Sequence, residues 1–126
     1  MNEEKKNLES DEAIAKSDLS SKLYGGLPNR IKLFDVVYNI TYVDKPSDVD
    51  IYKRNSLFGQ VDYWTRTIRI YHNGRSEADI WQTLWHEIIH AICEKLKLED
   101  LRKDEHATDL LATGINSIIL DNLPAV

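Results

Sequence analysis

Ser76-Glu77-Ala78-Asp79-Ile80-Trp81-Gln82-Thr83-Leu84-Trp85-His86-Glu87-Ile88-Ile89-His90-Ala91-Ile92 is the stretch whose reading decides the fold. Ser76 is followed three positions on by an acidic residue, the mark of a capped helix start. Trp81, Trp85, Ile88, Ile89, Ile92 and Leu96 then recur at helical spacing, so an amphipathic helix is expected from Ser76 to about Leu96. Inside it lies His-Glu-x-x-His. Four residues make just over one turn, so His86 and His90 project from nearly the same side and can aim two imidazoles at one ion. Glu87 sits on their flank, suited to a water molecule rather than to the ion. Two nitrogen ligands, a carboxylate base and an open position for water are the elements of a zinc hydrolase. At ~100° per residue, both histidines lie well round from the centre of the tryptophan–isoleucine stripe. They share their side with Asp79, Gln82, Cys93 and Lys97. A cleft, not the core, is their expected setting.

A catalytic zinc site needs a third protein ligand. After a charged connection from Leu98 to Lys103, a second helix is expected from about Asp104 to Leu120. Its apolar side reads as Ala107, Leu110, Leu111, Ile115, Ile118 and Ile119. If this helix runs back across the first, Asp104-Glu105-His106 comes beside the histidine pair, with Asp109 one turn further. Helical phase favours Glu105, which shares a side with Thr108 and Ala112. Asp104 fits that phase equally well unless it caps the helix. His106 turns further away, and Asp109 stays an alternative. Acidic residues in a first turn also favour the helix dipole without any metal. Cys93 follows His90 on the same side; a small buried residue under the site is the plainer role, a thiol beside the metal the other. His72 reads as a turn histidine, with substrate orientation as its alternative. Tyr63 and Tyr71 read as strand packing, with donation to an oxyanion as theirs.

Working upstream, Ile31 to Val43 is β-branched and aromatic, and Asp35 in its middle implies a bent strand or a hairpin. Lys45 to Asp50 reads as loop. Phe58 to Tyr63 and Thr67 to Tyr71 alternate around a short polar break, which predicts a second hairpin, closed by His72-Asn73-Gly74. A β-rich half followed by two helices is an α+β arrangement: a small antiparallel or mixed sheet packed on the histidine-bearing helix. Residues 1–28 read as a charged, flexible or marginally helical arm with a weak period through Leu8, Ile14, Leu19 and Leu23. Residues 29–126 form the folded domain.

The chain has 126 residues, enough for one modest core and too few for two. A net charge of −5 disfavours nucleic acid as the main partner, because phosphate binding needs a basic face. No apolar run approaches a bilayer span, and Met1-Asn2-Glu3-Glu4-Lys5-Lys6 does not start a secretory leader. Cys93 is the single cysteine, which excludes an intrachain disulfide and a cysteine-rich zinc site. A cytoplasmic protein without a membrane partner is expected.

The motif and its surroundings together resemble the ImmA/IrrE-type metallopeptidases, in particular compact members found in phages and other mobile elements. The resemblance runs from about Ile31 to Asn122. It is carried by Phe58-Gly59-Gln60-Val61-Asp62-Tyr63 with Thr67-Ile68-Arg69-Ile70, then Thr83 to Ile92, then Asp104-Glu105 and Leu111-Ala112-Thr113-Gly114-Ile115. It implies a minimal zincin fold, with His86, His90 and Glu105 as zinc ligands and Glu87 as the base. It further implies a peptide or protein substrate; larger relatives cleave repressor proteins. The alternative is a catalytically silent, zinc-stabilised protein-binding or regulatory module. A third reading has a pair of helices with no metal at all.

Overall fold

The computed structural model describes residues 26–122. The weak helical period expected through Leu8, Ile14, Leu19 and Leu23 lies outside them. Four strands come first: β1 (Arg30–Leu33), β2 (Val36–Val43), β3 (Gly59–Asp62) and β4 (Thr67–Tyr71). Helices α1 (Glu77–Leu96), α2 (Glu99–Lys103) and α3 (Glu105–Asn122) follow. The fold is α+β, as expected.

The β-branched run from Ile31 to Val43 is a hairpin rather than one bent strand. Phe34 and Asp35 both take positive φ, 50° and 64°, the left-handed pair that a two-residue hairpin turn needs. Arg30 pairs with Asn39 and Leu33 with Val36 across it. The second hairpin pairs Gly59 with Ile70 and Asp62 with Thr67. Its turn is held by Asp62 Oδ1, which accepts from the Trp64 backbone N–H at 3.0 Å. Because β2 pairs with β4 in parallel, the two hairpins merge into one mixed sheet of order β1-β2-β4-β3. β3 is therefore an edge strand.

Period-2 alternation sends Ile31, Tyr38, Ile40, Ile68 and Ile70 to one face of the sheet. There they meet Ile80, Trp81, Leu84, Ile88 and Ala91 of α1, and these residues form the main core. Ser76 caps α1 as expected, its hydroxyl accepting from the Asp79 N–H at 3.1 Å. The helix ends at Lys97, whose φ of 60° gives a left-handed cap.

Three expectations need correction. The buried face of α1 is rotated from the predicted stripe: Trp85 and Ile92 are only partly buried, and Leu96 is exposed. The reason is that α1 is packed on two sides, with the sheet on one and α3 on another, so no single stripe describes it. Second, the connection after Leu98 contains the short helix α2, where Arg102 reaches back to Glu99 at 2.7 Å. Third, the side of α3 turned inward is Thr108, Ala112 and Asn116, while Leu110, Leu111 and Ile118 are exposed. Polar bonds fix this phase. Gln82 donates to the Asp109 carbonyl at 3.3 Å and to Thr113 Oγ1 at 3.0 Å, and Asn116 donates to the Ala78 carbonyl at 3.4 Å. Small residues let the two helices approach closely, and Ile89, Cys93 and Ala112 form a second small core between them. No helix among the described residues is long and apolar enough to cross a membrane.

Candidate metal centre

The rotation of α3 that buries Thr108 and Ala112 also carries Glu105 over the histidine pair. His86 Nε2 lies 2.8 Å from Glu105 Oε2, His90 Nε2 lies 2.9 Å from Glu105 Oε1, and the two ring nitrogens are 3.1 Å apart. One ligand atom from each residue falls within 4.8 Å of the others. In a tetrahedral zinc site with bonds of 2.0–2.1 Å, ligand atoms are separated by about 3.3 Å. The three short separations, two of them to different oxygens of Glu105, each lie within about half an ångström of that value. The donor set of two imidazoles and one carboxylate fits a divalent cation of the zinc type and leaves room for a further ligand.

Of the acidic candidates, Asp104 serves as the helix cap, accepting from the Ala107 N–H at 2.9 Å. Asp109 lies behind His86, its Oδ1 3.3 Å from Nδ1. A proton shared there leaves the Nε2 lone pair pointing at Glu105, which is how an outer carboxylate fixes the tautomer of a metal-binding histidine. His106 is exposed and outside the cluster. We therefore expect Asp109→Asn to weaken metal binding by about 10–100-fold without unfolding the chain. Competition against a chromogenic chelator measures this; an unchanged affinity would remove Asp109 from the site.

Both histidines line clefts, but His90 is also buried, at 7% exposure. Burial pushes its pKa below the usual histidine value, against the pull of Glu105, and favours the neutral ring that can bind a cation. Glu87 points from α1 towards β3, where the Val61 backbone N–H donates to its carboxylate. Burial pushes its pKa up to about 7, with the Glu105 charge adding to the shift and His86 opposing it. That is the range in which a carboxylate takes and returns protons near neutral pH.

The close seating of β3 on α1 depends on Gly59. A Cβ at this position would stand 2.6 Å from Thr83 Cγ2 and 3.1 Å from Glu87 Cγ. The Thr83 hydroxyl donates to the Asp79 carbonyl at 3.2 Å and accepts from Arg75 at 2.6 Å, so its methyl cannot swing away without breaking both bonds. Gly59→Ala should cost about 1–3 kcal/mol by forcing β3 off the helix. Adding Thr83→Ser, which deletes the offending methyl and keeps the hydroxyl bonded to Arg75, should recover most of it. Urea denaturation of the single and double variants tests this; no recovery would mean that the clash is not with Thr83.

Two clefts flank the cluster along this strand. One of about 310 Å³ is lined by Gln60, Val61, Tyr63, Glu87, His90 and Arg102, among others. The other, about 220 Å³, includes Phe58, Thr83, His86 and Asp109. Leu57, Gly59, Glu87 and Glu105 border both. Leu57 is presented by a loop folded round Asp50, which is fully buried. Asp50 accepts from the N–H groups of Tyr52, Arg54 and Asn55 at 2.9, 3.2 and 3.2 Å and from Gln60 Nε2 at 3.1 Å. These bonds, the one from Tyr52 foremost, hold its carboxyl down to about 2.

The other sequence candidates separate cleanly. Tyr63 lines the larger cleft and donates to the His90 carbonyl at 3.2 Å, so it braces the turn that carries His90. Burial, reinforced by the Glu87 charge, raises its pKa and keeps the phenol protonated. Tyr71 borders neither cleft; it stacks on Phe58. His72 pairs with Asp44 at 3.0 Å, and Cys93 is buried between the helices. Sequence reading missed Arg102, Gly59 and the Asp50–Gln60 pair. Only the glycine carried a signal, as a lone glycine in a strand. Comparison with models of protein families, with curated proteins and with solved structures returns no match, so the reading of this site rests on its own residues.

Proposed function

We propose that the protein is a minimal zincin-like peptidase of the ImmA/IrrE kind, holding zinc between His86, His90 and Glu105 and hydrolysing peptide bonds. The observation that supports it most is the meeting of that donor set with a buried carboxylate, Glu87, in a cleft beside an edge strand. The cation supplies Lewis acidity, acidifying a water molecule and polarising the scissile carbonyl. Glu87 acts as the general base. Its raised pKa suits it to take the proton of the attacking water and then to pass that proton to the leaving amine. The Val61 N–H orients its carboxylate meanwhile. Tyr63 keeps its hydroxyl proton and faces the same cleft, where it can contact substrate. An extended peptide adds to the free side of β3, which lays its backbone along the clefts on either side of Glu105.

Incubating the zinc-loaded protein with a mixed-sequence peptide library and reading the products by mass spectrometry tests the proposal. Cleavage that stops with chelator and returns with zinc is expected. Stoichiometric zinc with no cleaved peptide would instead favour a silent binding module. A chain that retains no metal after dialysis and melts identically in chelator would leave only a pair of helices.

A further inference from the structure

A further cavity adjoins the metal-side cleft through the single residue Tyr63. Tyr63 lines the larger metal-side cleft and also borders a third cavity, of about 300 Å³, at the C-terminal end of α1. The walls of that cavity include Tyr38, Arg66, Glu94, Lys95 and Lys97. Three cations thus face one carboxylate in a chain whose net charge is −5. Glu94 leans instead towards Arg102, 3.8 Å away. Arg66, Lys95 and Lys97 make no ion pair among the described residues. Trp64, between the lining residues Tyr63 and Arg66, is 91% exposed. Among the described residues these three cations are left without a carboxylate partner, beside an exposed indole.

We propose that this cavity is a distal subsite of the groove, in which Arg66, Lys95 and Lys97 take an acidic side chain of the peptide substrate. The inference rests on the peptidase reading and gives it a substrate class: peptides carrying Asp or Glu at a set distance on one side of the scissile bond. The strand sets that distance. Val61 lies against Glu87, and Tyr63 is two residues further along, so at about 3.3 Å per residue the acidic group falls roughly two to four residues from the cut. Recognition is by charge at an accessible surface, so it weakens with salt.

The test uses the full chain, zinc-loaded and carrying Glu87→Gln, so that peptides are held and not cut. Fluorescein-labelled decapeptides, alike except for Glu or Gln at each of the four positions on either side of the centre, are titrated by anisotropy at low and at high salt. On one side only, Glu should bind about three- to tenfold tighter than Gln at low salt, as expected for one or two exposed ion pairs. Lys95→Glu with Lys97→Glu, both at exposed positions, should turn that preference towards Lys-bearing peptides. Equal affinities for Glu and Gln, no measurable binding, or a preference that survives charge reversal each overturns the subsite. Cleavage by the unmutated protein is read separately. Cleavage without the Glu preference removes the subsite and leaves the peptidase standing; the preference without cleavage does the opposite.

Discussion

Glu87→Gln is expected to lower peptide cleavage by about 10²–10⁴-fold while leaving zinc affinity and melting temperature close to those of the unmutated chain. The substitution keeps the volume of a side chain that is 7% exposed, and its carbonyl oxygen can still accept from the Val61 N–H. What it removes is the capacity to take a proton. A drop in turnover with metal retained would place Glu87 in the chemistry rather than in the packing. A variant that cleaves at the full rate would remove it from the role of base. Glu87→Ala is the less informative substitution, because it also opens a cavity against Gly59 and confuses packing with catalysis.

The second large effect concerns the ligands. A metal bound only by the folded chain stabilises it by mass action, about 2.7 kcal/mol at a hundredfold excess over Kd, or roughly 10–20 °C in Tm for a domain of this size. Zinc should raise the melting temperature of the unmutated protein by that order. Glu105→Gln and His90→Ala should abolish most of the rise, with affinity falling by more than about 100-fold, beyond what loss of an outer partner costs. Glu105 is the cleaner probe. Its side chain is 71% exposed, so its replacement should leave the metal-free protein as stable as before. A zinc-induced rise that survives Glu105→Gln would mean that the third ligand lies elsewhere.

The parts of this fold that were legible in the sequence are those encoded locally. Ser76 and the run behind it determine α1, because capping and helical spacing act within a few residues. The second hairpin is legible for the same reason, through alternation interrupted by turn residues, whereas the first reads equally as a bent strand until Phe34 and Asp35 are seen at positive φ. The parallel pairing of β2 with β4 was not legible, since it joins strands separated by the whole segment that contains β3. The phase of α3 was misread because its leucines and isoleucines suggested a buried face. Polar contacts from Gln82 and Asn116, together with the smallness of Ala112, instead turn Thr108 and Asn116 inward.

The candidate site divides in the same way. His86, Glu87 and His90 share one helix, so their relation follows from helical geometry alone. Choosing Glu105 over Asp104 and Asp109 depends on how one helix crosses another, which no local pattern determines. The structure gives the three acids separate duties: Glu105 faces the imidazoles, Asp104 caps the helix, and Asp109 backs His86. Arg102 and the Asp50 loop reach the cleft only through tertiary packing, and nothing in their neighbourhoods in sequence marks them.

A crystal of the full chain soaked in zinc, with an anomalous difference map recorded at the zinc edge, tests the central claim most directly. A single strong peak is predicted, about 2.0–2.2 Å from Nε2 of His86, Nε2 of His90 and a carboxylate oxygen of Glu105. A map without a peak there, or a peak whose ligands exclude any one of these three residues, would contradict it.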